Sequence, residues 1–167
     1  MRELADLVRQ IDDDTFAAQM GPFALVQRPP PGSREDEARH NLQTETRVQP
    51  AMRLRGAPSS VDFGDLIVAT LPPPLPDGSM QLTIGRSPDC DLVVHDTSVS
   101  KHHASVVWDG EEAVLSELGS VNGTFINGLK MKDRWTLRDL DELTFGESHF
   151  VYLVASTLHG RLQRMSR

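Results

Sequence analysis

At 167 residues the chain is long enough for one domain with a sizeable core plus an appendage, and too short for two full-sized domains. Its formal net charge of −7 argues against a generic nucleic-acid surface or an anionic-membrane binder, so any anion site has to be local. With 38% apolar and 5% aromatic residues it is poor in core-forming side chains, and part of it is expected to stay outside the core.

A single cysteine, Cys90, cannot close an internal disulfide, and no cysteine cluster marks a structural zinc site. The N-terminus lacks a signal-peptide pattern, and no stretch approaches the roughly 20 apolar residues of a membrane helix. These features predict a cytoplasmic protein with no membrane partner.

From Arg2 to Phe16, Leu4, Leu7, Val8 and Ile11 recur at helical spacing, which predicts a short amphipathic helix. Asp12-Asp13-Asp14 would then lie near its C-terminal end, against the helix dipole, and Gly21-Pro22 would stop it. Gln27 to Ser60 holds Pro29-Pro30-Pro31-Gly32 and the charged run Arg34 to Arg39 with almost no apolar periodicity, and reads as a linker. Residues 1–60 are thus expected to be an N-terminal extension, mostly irregular apart from the helix.

Past Ser60 the period switches to two. Short apolar runs predict strands at Leu66–Ala69, Met80–Ile84, Leu92–Val94, Ala104–Trp108, Ala113–Leu118, Thr124–Ile126, Lys132–Leu137, Glu142–Phe145 and His149–Ala155. Asp109-Gly110 and Asn127-Gly128 have the composition of hairpin turns. Many short strands at regular spacing predict an all-β sandwich over residues 61–155. Residues 156–167 carry Arg161, Arg164 and Arg167 at helical spacing with Leu158, Leu162 and Met165, which predicts a basic amphipathic tail.

Between Thr83 and Thr124, polar groups collect on successive turns. Gly85-Arg86 closes one strand, Ser100-Lys101-His102-His103 precedes the next, and Ser120-Val121-Asn122-Gly123-Thr124 follows a third. A phosphate dianion needs a guanidinium, hydroxyls and backbone amides converging on it, and turns at one end of a sandwich can supply all three. Each motif alone is weak: serine and Asn-Gly are ordinary turn formers. His102 and His103, adjacent on a strand, point to opposite faces and do not chelate a metal from one side. His103 is expected to be buried and structural, His102 superficial. Nothing marks Cys90 as a nucleophile, and no paired carboxylates, metal-ligand spacing or nucleophile–base arrangement points to an enzyme.

In this order and spacing, the segments Ile84 to Asp91, Val99 to Ala104 and Gly119 to Gly128, with a weaker match at Leu143 to Gly146, resemble the forkhead-associated (FHA) domain family. The resemblance covers roughly residues 61–155. It implies an FHA-like β-sandwich of eleven strands that binds phosphothreonine peptides at one end and acts without catalysis or cofactor. Carried over by position, Arg86 and Ser100 resemble the main phosphate ligands, with Lys101 and Ser120 assisting. Asn122 resembles the residue that holds the peptide backbone, and Gly85, His103 and Gly123 match positions that shape the site. Two departures stand out: Leu140-Asp141 replaces the usual Gly-Asp of the late turn, and Lys101 stands where arginine is common.

The implied function is a phosphothreonine-dependent adaptor or regulator in Ser/Thr kinase signalling, whose partner is a phosphorylated protein, either a Ser/Thr kinase or its substrate. The alternative is a phosphate-independent scaffold that uses the sandwich and the N-terminal helix. The linker adds Thr44 and Thr46, in Gln43-Thr44-Glu45-Thr46-Arg47, as candidate phosphoacceptors able to compete for the chain's own site.

Overall fold

The computed structural model describes residues 12–28, 68–70, 76 and 78–165. Its first element is helix α1, Asp13–Met20. The Asp12 side chain accepts a hydrogen bond from the Thr15 amide at 2.7 Å, which makes it the N-cap, and Asp13 and Asp14 fill the first turn. The aspartate triplet therefore starts α1, with the charges on the favourable side of its dipole. Leu4, Leu7, Val8 and Ile11 lie outside the described residues. Gly21, at φ 88°, caps the C-terminus by donating to the Ala17 carbonyl at 2.9 Å.

Among the described residues eleven strands follow: β1 (Phe23–Arg28), β2 (Val68–Thr70), β3 (Met80–Gly85), β4 (Leu92–Val93), β5 (Ala104–Trp108), β6 (Ala113–Glu117), β7 (Thr124–Ile126), β8 (Leu129–Lys130), β9 (Arg134–Thr136), β10 (Glu142–Phe145) and β11 (Ser148–Val154). They form two sheets, β2-β1-β11-β10-β7-β8 and β4-β3-β5-β6-β9. This is the expected all-β sandwich. The interior is filled by alternating residues such as Leu82 and Ile84 of β3, Ala104 and Val106 of β5, Leu143 and Phe145 of β10, and Phe150 and Tyr152 of β11.

Phe23–Arg28, expected within an irregular extension, is a strand deep in the six-stranded sheet, paired with β11 from Phe23↔Val154 to Arg28↔His149. Phe23 and Leu25 face the sandwich core, while Ala24 and Val26 face a second one. A strand buried on both faces has no polar alternation, so its sequence lacks the period-two signal.

The second core explains the C-terminus. Helix α2, Ala155–Met165, lies with α1 against the outer face of the six-stranded sheet, where Phe16, Val26, Val151, Leu153, Leu158 and Leu162 bury one another. Asp139 fixes the start of α2 by accepting from the Val154 amide at 2.9 Å and the Thr157 hydroxyl at 2.6 Å. Between the helices the buried His159 stacks on Phe16 at 4.6 Å and meets the Asp13 carboxylate at 2.5 Å. The folded unit thus reaches beyond residues 61–155 on both sides.

The two predicted turns differ. Asn127 and Gly128, at φ 50° and 79°, make a two-residue hairpin between β7 and β8. At Asp109-Gly110 the register Trp108↔Ala113 leaves a four-residue loop, held by the Asp109 carboxylate accepting from the Glu111 and Glu112 amides, each at 2.9 Å. Strand β8 had no sequence signal because it has two residues, both exposed. Among the described residues no helix is long and apolar enough to cross a membrane.

Candidate functional site

The first loop leaves β3 at Gly85. The Arg86 amide donates to the Ser100 carbonyl at 2.9 Å and the Ser87 amide to the Lys101 carbonyl at 3.0 Å, so the strand end is zipped to the loop before β5. This approach is what requires glycine: a Cβ at position 85 would stand 2.1 Å from the Lys101 carbonyl oxygen and 2.9 Å from the Cys90 sulfur. Of the two roles sequence allows a glycine here, close approach is the one realised, since Gly85 is not among the positive-φ glycines. Arg86 is exposed, and its Nε donates to the Val99 carbonyl at 3.2 Å, which anchors the near side of the guanidinium and leaves the Nη groups to reach outward.

His103 organises the second loop. It is fully buried, its Nδ1 accepts from the Ser100 amide at 3.1 Å, and its Nε2 lies 3.1 Å from the Gly123 carbonyl. Only the neutral Nε2–H tautomer satisfies both partners. Burial holds the imidazole pKa below its ordinary value, outweighing the pull of the Gly123 carbonyl and Glu117 in the other direction. One neutral ring therefore pins Ser100 and Gly123 at a fixed separation. His102 is exposed, as expected.

The third loop follows β6. Glu117 accepts from the Ser120 amide at 2.6 Å through one oxygen and from the Thr124 hydroxyl through the other, bridging the loop from its start to its end. Burial alone would raise this carboxyl, but the Thr124 and Ser120 bonds outweigh it and hold the pKa below its ordinary value. The Ser120 hydroxyl accepts from the Gly123 amide at 2.9 Å, and Gly123 takes φ 85°. The Val121 amide donates to the Ser100 hydroxyl at 3.0 Å, joining the second loop to the third.

All eight expected positions therefore lie on three loops that hydrogen bonds join to one another: Arg86, Ser100, Lys101, Ser120 and Asn122 with Gly85, His103 and Gly123. The Ser100 oxygen accepts, so its hydroxyl hydrogen remains to be donated, whereas the Ser120 hydroxyl accepts from the Gly123 amide and also hydrogen-bonds the Glu117 carboxylate. Asn122 donates from Nδ2 to the Ser98 carbonyl at 2.7 Å, and its Oδ1 and second amide hydrogen form no bond among the described residues. Among the described residues neither Arg86 nor Lys101 forms an ion pair. The loops present two uncompensated cations beside hydroxyl and amide donors, which suits a phosphate and leaves hydrogen-bonding capacity for a peptide beside it.

Sequence reading missed the supports of this cluster. Asp96 accepts from the amide and hydroxyl of Ser98, at 2.8 and 2.7 Å, and from the Ser148 hydroxyl at 2.7 Å. The Ser98 hydroxyl in turn accepts from the Glu147 amide at 2.8 Å, tying the β10–β11 turn to the loop that holds Asn122. An aspartate two residues before a serine is an Asx-turn signal, and Glu117 three residues before Ser120 is a similar one; both were legible locally, but their long-range partners were not.

Asp89, Cys90 and His102 place potential metal ligands within 4.8 Å of one another. His102 turns Nδ1 toward the Cys90 sulfur at 3.6 Å and Nε2 toward Asp89 at 3.5 Å, so it spans the two groups with opposite sides of one ring. Burial, reinforced by Asp89 and Asp91, pushes the thiol up and keeps it protonated, donating to the Lys101 carbonyl at 3.2 Å. Cys90 is thus a packing and hydrogen-bonding residue of the first loop. Thr44 and Thr46 lie outside the described residues. A cleft of about 440 Å³ lined by Trp108, Glu112, Arg138 and Tyr152 sits at the opposite end of the sandwich from the loops.

Comparison with known proteins places these loops in a family context. The FHA domain matches residues 82–146. The FHA domain-containing protein FhaA of Mycobacterium tuberculosis is 38% identical over 68 residues, which is 41% of this chain and 13% of that protein. The glycogen accumulation regulator GarA of Mycolicibacterium smegmatis is 36% identical over 69 residues, 41% of this chain and 43% of that one. This chain therefore spans less than half the length of either relative. A solved structure from a structural and functional analysis of phosphothreonine-dependent FHA domain interactions is 32% identical, with 55% of this chain and 88% of that one covered and a TM-score of 0.48. Through residues 82–146, the chain belongs to the FHA domain family.

Proposed function

We propose that this protein is a non-catalytic reader of phosphothreonine-containing segments, acting as an adaptor or regulator in Ser/Thr kinase signalling. The observation that carries this reading is the convergence of three loops on which Arg86 and Lys101 form no ion pair among the described residues and the Ser100 hydroxyl, accepting from the Val121 amide, retains its hydrogen. Arg86 and Ser100 would bind the phosphate, Lys101 and Ser120 would assist, and Asn122 would hold the peptide backbone. Gly85, His103 and Gly123 shape that surface. Lys101 acts as a point charge without the bidentate option of arginine. Family membership supports the reading, and so does the regulatory role in the name of GarA. The partner is a phosphorylated protein, a Ser/Thr kinase or one of its substrates. An oriented phosphopeptide library screened on the full chain tests this. Phosphothreonine should be selected, and Arg86→Ala or Ser100→Ala should abolish selection with the circular dichroism spectrum intact; unchanged selection in both variants sinks the reading.

The topology favours a second use of the same site. β1 ends at Arg28, opposite His149, and β2 begins at Val68, opposite Val26, so both strands open toward the β10–β11 turn that hydrogen-bonds Ser98. Residues 29–67, which include Thr44 and Thr46, therefore join the sandwich at its loop end. From Arg28 to Thr44 the chain can span at most roughly 50–60 Å, enough to reach the loops. A phosphate on either threonine would then compete with outside partners. Treatment with a Ser/Thr kinase followed by mass spectrometry and peptide titration checks it: modification at Thr44 or Thr46 with weakened peptide binding is expected, and no modification, or unchanged binding after it, contradicts it.

The alternative is a phosphate-independent scaffold that uses the sandwich and the N-terminal helix, whose apolar stripe of Leu4, Leu7, Val8 and Ile11 lies outside the described residues. Partner binding that survives phosphatase treatment would favour that alternative.

A further inference from the structure

Lys130 lies beside the recognition loops but belongs to none of the three motifs. Strand β8 returns from the Asn127-Gly128 turn toward the loop end, pairs Lys130 with Phe125, and closes with the Met131 amide donating to the Thr124 carbonyl at 3.0 Å. One residue before Thr124 is Gly123. The Lys130 side chain runs across it: a Cβ on Gly123 would stand 2.6 Å from Lys130 Cε and 3.1 Å from Nζ. The stem thus occupies the space that the missing side chain leaves, and the ammonium is set at the edge of the 120–123 loop. On the other side Nζ lies 6.0 Å from the centroid of the Phe125 ring, which helps keep the exposed side chain in place.

This charge is not neutralised by its surroundings. Among the described residues no ion pair forms at Lys130. Glu117, the carboxylate on that loop, has both oxygens committed to the Ser120 amide and the Thr124 hydroxyl. Asp141, near the β7–β8 turn, accepts from the Asn127 side chain at 2.8 Å and from the Arg138 amide at 2.8 Å. The chain as a whole is acidic, so a positioned and uncompensated cation at the border of the loop is a local exception that favours a negative group arriving with a ligand.

We propose that Lys130 forms a second cationic subsite, which selects an acidic side chain flanking the phosphothreonine in the bound peptide. The proposal rests on the phosphothreonine reading and extends it: Arg86, Ser100, Lys101 and Ser120 take the phosphate, and Lys130 reads a neighbouring Asp or Glu at the Asn122-Gly123 edge. Because the site is exposed and the contact is between flexible groups, its effect is a preference and not a requirement. Replacing an acidic flanking residue by a neutral one should weaken Kd by roughly two- to fivefold, the range of an exposed ion pair, and raised salt should shrink the difference.

The test is an oriented phosphothreonine library screened on the full chain in wild-type form and with Lys130→Gln or Lys130→Arg, followed by titration of one acidic-flanked and one neutral-flanked peptide. The wild type should enrich Asp and Glu at a flanking position, Lys130→Arg should keep the enrichment, and Lys130→Gln should lose it while binding the neutral-flanked peptide with unchanged Kd. Phosphothreonine selection without acidic enrichment, or enrichment that persists in Lys130→Gln, overturns the subsite and leaves the phosphothreonine reading standing. Failure of the wild type to select any phosphopeptide overturns both.

Discussion

At the loop end, Glu117, His103, Ser98 and Asp96 hold backbone groups of neighbouring turns, whereas on the outer face of the six-stranded sheet Phe16, Val26, Leu153, Leu158 and Leu162 bury one another. Polar contacts of the first kind each contribute only about 0.5–1.5 kcal/mol net but fix directions. Apolar burial of the second kind contributes about 1.5–3 kcal/mol per large side chain and is non-directional. The loop end therefore places atoms, and the helix-covered face supplies stability. Substitutions should separate the two: one set changes binding more than folding, the other folding more than binding.

The largest effect is expected on the helix face. Phe16→Ala removes a 2% exposed ring that packs on His159, and should destabilise the protein by about 3–5 kcal/mol in denaturant titrations. Peptide affinity measured where the variant is still folded should not change; a large loss there would mean that the two regions are coupled. Gly85→Ala breaks the comparison from the other side, because its methyl group meets the Lys101 backbone. It should cost about 3 kcal/mol and also remove peptide binding, since the strand end and the second loop must part.

Next comes the carboxylate clamp. Glu117→Gln keeps the shape but replaces an ionised acceptor, and should weaken peptide binding by about tenfold while costing only about 1–2 kcal/mol of stability. The same region should give the loop end its pH dependence. The folded-state pKa of Glu117 is depressed, so its contribution is present above the unfolded value and lost as pH falls through the folded one. His103 is also depressed; its contribution is full above the ordinary value of 6.5 and declines below it, where the unfolded chain takes up the proton first. Stability followed by thermal melting should therefore fall on acidification in two stages, and His103→Ala should remove the upper one.

The smallest effect is expected at Leu140, which takes φ 73° and is 49% exposed. It stands where the family usually has glycine, and a leucine in the left-handed region carries a strain of roughly 1–2 kcal/mol. Leu140→Gly should raise stability by about 1 kcal/mol, after the greater freedom of glycine in the unfolded chain is offset, and leave binding unaltered.

The same comparison explains what could be read from the sequence. Short alternating strands such as Leu82–Ile84 and Ala104–Trp108 announced the sandwich, because one face is core and the other is not. The loop end was legible as types and spacing, since Gly85-Arg86, Ser100-Lys101 and Asn122-Gly123 are local patterns. The helix-covered face was not. The strand Phe23–Arg28 is buried on both sides through Val26 and adjoins a proline run, so it lacks alternation, and Leu158 and Leu162 reveal a face but not the partner that covers it. The triplet at Asp12 to Asp14 is compatible with either end of a helix until the cap is seen. The long-range bonds from Asp96 to Ser148 and from Ser98 to Glu147 join residues about fifty positions apart, and no local rule reports them.

The central claim is that the three loops bind a phosphate carried on threonine. Calorimetric titration of the full chain with a library-selected peptide, before and after phosphatase treatment, tests it most directly. Binding of the phosphorylated peptide that disappears both on dephosphorylation and in Arg86→Ala is the predicted result. Equal affinity for the two forms, or affinity untouched by Arg86→Ala, would contradict it.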